Sequence, residues 1–552
     1  MSDGFNLVDR PWIKVQTVDG QPAEVGLRDF FSQWDRFAAF DGETPTQNAA
    51  VFRMLMAIVV RTVRLHPEWG FIDDEGELWR EIYTADDFPE LIGNYLETHH
   101  NRFDLASDTV PFFQVPDLHT SKEVYESAAS LVPDTGPALF STQTEASASE
   151  LEPAVATRYL IHRQAYDYSG IKSGIVGDPR VKGGKGYPTG PGWAGRLGHT
   201  VVTGPTLRDT FMLSLPMLEL IPEELMFDDE DLPPWERQPD TAMPRSAGAV
   251  EPNGIVDLLT WQQRRIRLFW AEDRKTVTHV LIGNGDKINE RNQFAEPYSP
   301  QRYSEVQSKK AKTSVFFAQE LDPALTVWRG VQAMFADGSI ADTKNRRAPV
   351  LKQFTGPIGV ERQTAYAGKH VGVWLCGVEY GPQQSSFSDE MSEVLPIDLS
   401  LMTEAGFQMR KTVLDAIDRI FTLRGQLRWF FKQLEVSQGG SPEEAPEAPT
   451  QTWLAELEHE FTQWLSHLSA QQSAEERQSN WFRTLNRVTR RTVAQAVDAA
   501  GPRAAAGWLE TEPNGTVHFH SSARYESWML AKLKQSAPLP LNSEQKGGSD
   551  DR

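Results

Sequence analysis

Residues 403–434 read TEAGFQMRKTVLDAIDRIFTLRGQLRWFFKQL, and this stretch decides the second half of the fold. Met409, Val413, Ile417, Ile420, Leu427, Phe431 and Leu434 recur at three-and-four spacing, so they share one face of a helix. The same periodicity returns over residues 450–470, 474–500 and 521–535, with the breakers Gly439-Gly440-Ser441-Pro442 and Gly501-Pro502 between helices. Four amphipathic helices joined by short connections predict an antiparallel four-helix bundle over residues 401–537. An acidic linker at about 436–450 and a tail at 538–552 carry too few apolar side chains to pack, and read as solvated, mobile segments.

Upstream, residues 1–400 read as one large mixed domain with long loops, so the chain as a whole is α+β. Residues 5–31 alternate apolar and polar side chains around Asp19-Gly20, a hairpin signal leading into a short helix at 27–33. Thr44-Pro45 then supplies an N-cap and a first-turn proline for a largely apolar helix reaching Leu65. Glycines and prolines cluster from about 131 to 210, which predicts a long functional loop. Alternating stretches at 254–269, 276–282, 313–319 and 370–378 read as strands.

At 552 residues the chain is long enough for two well-buried cores. Its net charge of −21 argues against a free-standing nucleic-acid binder, because a negative field over the whole surface repels phosphate. Any DNA contact has to be local or shared with basic partners. The one cysteine, Cys376, excludes an intrachain disulfide and a cysteine-rich metal site. The first residues lack the basic-then-apolar order of a secretion signal, and the longest apolar run, 54–60, is closed by Arg53 and Arg61. A cytoplasmic protein without a membrane span is expected, with most of its 16 tryptophans anchoring the core.

Matches to enzymatic patterns are weak. Gly190-Pro191-Gly192-Trp193-Ala194-Gly195 has the spacing of a dinucleotide loop, but no apolar strand precedes it and the proline is wrong for a helix-opening phosphate turn. Ser169-Gly170-Ile171-Lys172 has the spacing of an acyl-transfer serine and lysine without the companion motifs. His518 and His520 alternate along a short predicted strand as two solvent-facing side chains, and neither they nor His99-His100 have further ligands at metal-binding spacing. The acidic run Asp228-Asp229-Glu230-Asp231 suits Mg²⁺ or, more plainly, a solvated turn. It carries the alternative reading, a metal-dependent nuclease or hydrolase.

Against the acidic background, residues 157–208 run the other way: Arg158, Arg163, Lys172, Arg180, Lys182, Lys185, Arg196 and Arg208 are opposed by only Asp167 and Asp178. Cations on a glycine-bearing loop suit phosphate or groove contact, since glycine lets backbone N–H groups come close to a duplex. A flexible solvated loop is the plainer reading. Arg483, Arg487, Arg490 and Arg491 share one helix face, where a solvated stripe or pairing with Glu456 and Glu460 competes with backbone contact. Lys309, Lys310 and Lys312 form a third basic cluster.

The opening Phe5-Asn6-Leu7-Val8-Asp9-Arg10-Pro11-Trp12-Ile13-Lys14-Val15, the glycine-rich middle, Leu207-Arg208-Asp209-Thr210 and the helical C-terminus together resemble the large subunit of the type I-E CRISPR surveillance complex Cascade, the CasA family. The resemblance implies a non-catalytic protein with no cofactor and no metal. Its partners would be crRNA, the backbone, small and crRNA-end subunits, target double-stranded DNA and the CRISPR helicase-nuclease. In antiviral defence it would read the PAM through the minor groove, start strand separation and R-loop formation, and receive the helicase-nuclease.

Four elements carry over by resemblance. Phe140-Ser141-Thr142-Gln143 is similar to the family's short recognition loop. The family's glycine loop is matched by Ser169-Gly170-Ile171-Lys172, with Lys182-Gly183-Gly184-Lys185-Gly186 as a competing match. Lys287 matches the groove-inserted lysine ahead of Pro297-Tyr298-Ser299-Pro300. The turn Glu379-Tyr380-Gly381-Pro382-Gln383-Gln384-Ser385 resembles the family's glutamine-bearing wedge. Gln384, rather than Gln383, is expected beside the first base pair, where an uncharged planar amide can stand in for the hydrogen bonds of the opened bases. Lys309, Lys310, Arg483 and Arg487 are further expected contacts to the nucleic-acid backbone.

Overall fold

The computed structural model describes residues 4–69, 72–133, 149–217, 229–322, 325–336, 344–468 and 472–539. The chain divides into two compact units, one ending at Leu395 and the other starting at Pro396.

In the first unit, Ile13–Thr17 pairs antiparallel with Pro22–Val25 and with Phe37–Phe40, and Leu27–Gln33 is a helix. The opening stretch is fixed by Arg158. Its buried guanidinium reaches from the helix Pro153–Tyr166 to the Trp12 carbonyl (2.8 Å), Glu24 (2.6 Å) and Glu43 (2.6 Å). Burial opposes ionisation of Glu43, yet Arg158 and Lys14 outweigh it and hold the carboxyl down to about 2. Pro45–Leu65 is the central helix, and the Thr44 hydroxyl accepts the Gln47 N–H at 3.3 Å in its first turn. Arg53, inside that helix, forms a two-point ion pair with Glu296 (2.9 and 2.8 Å), which also accepts the Trp193 indole N–H (2.7 Å).

Two sequence expectations are corrected here. Residues 131–210 do not form one long loop, for they hold the helix Pro153–Tyr166, the strand His199–Thr203 and the helix Leu207–Ser214. The first of these is buried on most sides, with Arg158, His162, Arg163 and Gln164 in the interior, so no apolar stripe marks it. Nor are residues 254–269 a single strand. Ile255–Leu259 is helical because Asp231 accepts the N–H groups of Val256 (3.3 Å) and Asp257 (2.8 Å), and the strand begins only at Arg264.

That strand, Arg264–Trp270, pairs antiparallel with Val277–Asn284. Another sheet places Val371–Tyr380 between Phe387–Ile397 and His199–Thr203, with Cys376 buried on the central strand.

The second unit contains the helices Phe407–Gln438, Ala448–Ser466, Ala474–Ala499 and Ser522–Ser536, which pack together. Trp453 and Trp481 are sealed inside, as Trp12, Trp34, Trp79, Trp235 and Trp328 are in the first unit. The first helix runs to Gln438 and stops at Gly439 (φ 95°), so the connection is shorter than 436–450. A hairpin, Trp508–Thr511 with Val517–His520, precedes the last helix. The histidines on it do not both face solvent. His520 is buried against Trp508, and its ring nitrogens meet the Tyr525 hydroxyl (2.6 Å) and Glu510 (2.9 Å). Among the described residues no helix is long and apolar enough to cross a membrane.

Candidate nucleic-acid interface

Gly381–Ser386 joins the strands Val371–Tyr380 and Phe387–Ile397 and forms a narrow tip. Gln383 and Gln384 adopt left-handed backbone conformations (φ 57° and 56°), which cost a side-chain-bearing residue about 1 kcal/mol or more each. The turn is closed by the Gln384 N–H donating to Gly381 (2.9 Å) and the Gly381 N–H donating to Ser386 (3.0 Å). Gln383 is exposed and Gln384 half-buried.

The base of this hairpin is gripped from one direction. The Tyr380 hydroxyl donates to the Tyr166 carbonyl (2.6 Å), an approach allowed because residue 195 is glycine; a Cβ there would lie 1.9 Å from that hydroxyl. The Phe387 ring lies against Tyr380 (5.5 Å), His162 (5.8 Å) and the edge of Tyr168 (5.9 Å). The Ser169 N–H donates to the Gln384 carbonyl at 2.7 Å.

Lys172–Ser173 pairs antiparallel with Lys185–Gly186. Lys182 and Lys185 exchange backbone hydrogen bonds (3.1 and 3.2 Å) around Gly183 and Gly184, whose φ values of +59° and +71° suit a tight hairpin turn. The two competing glycine matches are therefore joined by one antiparallel pairing across the loop 174–184: the turn at Lys182, Gly183, Gly184 and Lys185 is exposed at the end of that loop, and Gly170 lies just ahead of the first strand. Asn284 fastens the far strand, donating to the Tyr187 carbonyl (2.8 Å) and accepting from Thr189 (3.3 Å). Three residues further, Lys287 is exposed on a short strand that pairs parallel with Ala249–Val250.

Asp167 lies at the centre. It is fully buried and accepts from Arg163 (2.5 Å), Lys172 (2.6 Å) and Arg264 (2.5 Å). Burial opposes its ionisation, but the charges of Arg264, Lys172 and Arg163 win and hold it well below the usual carboxylate range. Lys172 is thereby corrected as a DNA contact. Its ammonium points inward, 4.2 Å over the Tyr168 ring, and burial, reinforced by the two guanidiniums and only partly offset by Asp167, brings it down to about 8.

The basic excess read from residues 157–208 is mostly consumed inside the fold. Arg158 and Arg163 are buried as described, Arg180 pairs with Asp178 (2.9 Å), Arg196 with Glu290 (3.1 Å), and Arg208 donates to the Tyr83 carbonyl (2.5 Å). Lys182 and Lys185 remain exposed. Lys309 and Lys310 are exposed on the helix Glu305–Ala311, with Lys309 paired to Glu305 (2.7 Å). Nearby cations rest on rings: Arg302 over Phe317 (5.2 Å), Lys344 over Tyr303 (4.6 Å) and Arg346 over Phe316 (3.9 Å). In the second unit, Arg483 is exposed, Arg487 pairs with Glu460 (2.8 Å) and Arg491 with Glu456, so ion pairing accounts for two of the four arginines on this face.

Phe140, Ser141, Thr142 and Asp228 lie outside the described residues. Asp231 is committed to Arg64 and to the two helix N–H groups above. Sequence reasoning missed Asp167, Tyr168, Arg264 and Asn284 as members of this assembly. The one available signal was Arg264-Arg265 opening a strand that also carries Ile266, Leu268, Phe269 and Trp270, where buried cations call for a buried anion.

The pattern of the CRISPR-associated protein Cse1 family matches residues 6–492. Over 97% of its length this chain is similar to the crystal structure of Thermobifida fusca Cse1, with 32% identity, a TM-score of 0.84 and 98% of that chain covered. The CRISPR-associated protein CasA/Cse1 of Thermus thermophilus is 29% identical over 271 residues, 48% of this chain, and the matched stretch spans about half (49%) of that relative. A chain of a structure described as a CRISPR RNA-guided surveillance complex shares the fold, with a TM-score of 0.69 at 16% identity, over 96% of this chain and 99% of that one. With its opening strands, its interior and most of its helical region inside that match, this chain belongs to the CRISPR-associated protein Cse1 family.

Proposed function

We propose that this chain is the non-catalytic large subunit of a type I-E CRISPR RNA-guided surveillance complex, Cascade, in the cytoplasm. In that complex, alongside crRNA and the other subunits, it recognises the PAM in double-stranded DNA through the minor groove. It then nucleates strand separation and R-loop formation, and recruits the helicase-nuclease. The observation that carries this reading is the hydrogen bond from Ser169 to Gln384, which puts a narrow, amide-bearing tip against the base of a hairpin whose turn is glycine and lysine. A glycine turn lets backbone N–H groups approach a groove, and an amide tip suits the place where a base pair opens. Lys287, Lys185 and Lys182 supply local positive charge, while Lys309 and Lys310 and their ring-supported neighbours suit sequence-independent phosphate contact.

The test is binding of PAM-bearing and PAM-scrambled duplexes by the complex reconstituted with and without this chain. Discrimination between the two duplexes has to depend on the chain. Equal discrimination without it would sink the proposal.

A further inference from the structure

Lys172 is a cation that cannot touch DNA from its buried position, yet it sits where the two halves of the interface meet. The residues on either side of Asp167 in sequence hold the tip: the Tyr166 carbonyl accepts from Tyr380, the Tyr168 ring meets Phe387, and the Ser169 N–H donates to Gln384. The Asp167 carboxylate holds the other half, because Lys172 opens the first strand of the glycine hairpin. Its backbone carbonyl also accepts the Gly192 N–H at 2.8 Å.

The three cations around Asp167 are not equivalent. Arg163 is anchored independently by the carbonyls of Leu131 (2.8 Å) and Ser130 (2.7 Å), and Arg264 by those of Gly190 (2.9 Å), Tyr168 (3.1 Å) and Gln263 (3.1 Å). Lys172 has the Asp167 carboxylate and the face of Tyr168, which Arg163 also approaches at 5.2 Å. Asp167 would remain doubly paired without it. The lysine is dispensable to the charge balance and adds a second positive charge in excess of the one carboxylate, a costly choice for stability alone.

We infer that Lys172, acting through Asp167 and Tyr168, is a positioning residue that locks the glycine hairpin and the Gln384 tip into one arrangement, so that duplex engagement at the hairpin and insertion of the tip are energetically coupled. This rests on the proposed DNA reading of the same site. Engagement of the Lys182–Lys185 turn loads the strand that begins at Lys172; the strain passes to Asp167 and Tyr168, and from there to the Ser169–Gln384 hydrogen bond. Coupling of this kind is a free energy shared by two sites through an element both of them bias.

The experiment uses the reconstituted complex carrying Lys172→Met, with closed PAM duplex and with a target already unpaired beside the PAM. The expected result is opening of the closed duplex slowed at least fivefold, with parent-like binding of the pre-opened target and a parent-like melting temperature. In the parent, the effects of Lys185→Ala and Gln384→Ala on opening are non-additive; in the Lys172→Met background they add. Tyr168→Leu, which removes the ring between the two halves, behaves the same way and carries the test if the methionine variant is unstable.

Parent-rate opening by both variants, with Gln384→Ala still slow, overturns the inference and leaves the DNA reading standing. Equal losses on closed and pre-opened targets reduce Lys172 to a structural role and also overturn it. A silent Gln384→Ala on closed duplex removes Gln384 from the wedge, and the inference with it, while the DNA reading stands or falls on discrimination between PAM-bearing and scrambled duplexes.

Discussion

The Ser169 N–H donates to the Gln384 carbonyl at 2.7 Å, across more than two hundred residues of sequence. The main chain of Gln384, a half-buried residue of the tip, is thereby fixed. Gln384→Ala keeps the backbone bond and removes the amide. On closed PAM duplex it should slow strand opening about tenfold, the equivalent of removing one uncharged hydrogen-bonding group near 1.4 kcal/mol, while leaving a pre-opened target bound as by the parent. Stopped-flow fluorescence of a base analogue beside the PAM reads this directly, and an unchanged rate removes Gln384 from the wedge.

Lys287 and Lys185 are both exposed but sit on different elements, and their removal should differ in kind. Lys185 is on the hairpin turn and is expected to meet phosphate, so Lys185→Ala should weaken PAM-bearing and scrambled duplexes alike. It should also lower the slope of log K against log salt by about 0.9 for each phosphate that the variant leaves unneutralised. Lys287→Ala should weaken the PAM-bearing duplex more than the scrambled one. Titrations at several salt concentrations separate the two outcomes, and identical behaviour of the two variants would show that Lys287 reads no sequence.

Elements with a local cause were legible in the sequence: the hairpin at Asp19-Gly20, the helix opened by Thr44-Pro45, and the four long C-terminal helices whose apolar stripes repeat. The tip at 381–386 was legible as a turn because a strand and a Gly-Pro pair are adjacent in sequence. The fate of the cations was not legible. Arg158 finds Glu43 over one hundred residues away, and Lys172 turns inward because Arg264, nearly a hundred residues on, helps to bury Asp167. Counting charges along 157–208 describes a basic loop only if those partners are ignored. Helix Pro153–Tyr166 escaped for a related reason, since its interior arginines and histidine erase the amphipathic pattern on which a sequence reading depends.

Gln383 is exposed, so its left-handed backbone is a cost that can be measured without disturbing the interior. Gln383→Gly should raise the melting temperature, by about 0.5–1 kcal/mol in stability, because glycine adopts φ 57° without the steric clash. Opening of PAM duplex should be unchanged if Gln384 alone acts as the wedge. Slower opening in the glycine variant would transfer the role to Gln383.

The Arg53–Glu296 pair is sealed between the central helix and the Pro297–Pro300 segment, with side chains only 3% and 2% exposed. Glu296→Gln strands a buried guanidinium and weakens the Trp193 hydrogen bond, so a loss of about 3–5 kcal/mol is expected. Replacing both partners with apolar residues, Arg53→Met with Glu296→Leu, should recover much of it. Denaturant unfolding of the single and double variants gives both numbers, and a single variant as stable as the parent would mean the pair is open to water.

His162 and His199 are fully buried, and burial depresses both, His162 to about 3 and His199 well below its ordinary value. Each is neutral in the folded chain and takes a proton in the unfolded chain below about pH 6.5, so the unfolded state binds more protons there. The stability they contribute is complete above that pH and falls as the solution is acidified toward the folded values, by about 1.4 kcal/mol per pH unit for each group. Glu43 and Asp167, whose folded values are also depressed, lose their contribution only once the pH drops through the unfolded carboxylate range near 4. The window from about pH 6.5 to 5.5, above the range in which unfolded carboxylates take up protons, therefore isolates the histidines. His162→Phe and His199→Phe should each flatten the slope of unfolding free energy against pH in that window by up to one proton, and the double variant by up to two. The His162 ring also lies 5.8 Å from Phe387 at the base of the tip, so His162→Phe changes the footing of the proposed wedge as well as the interior. A double variant with the parent's acid slope would show that neither ring is held neutral in the fold.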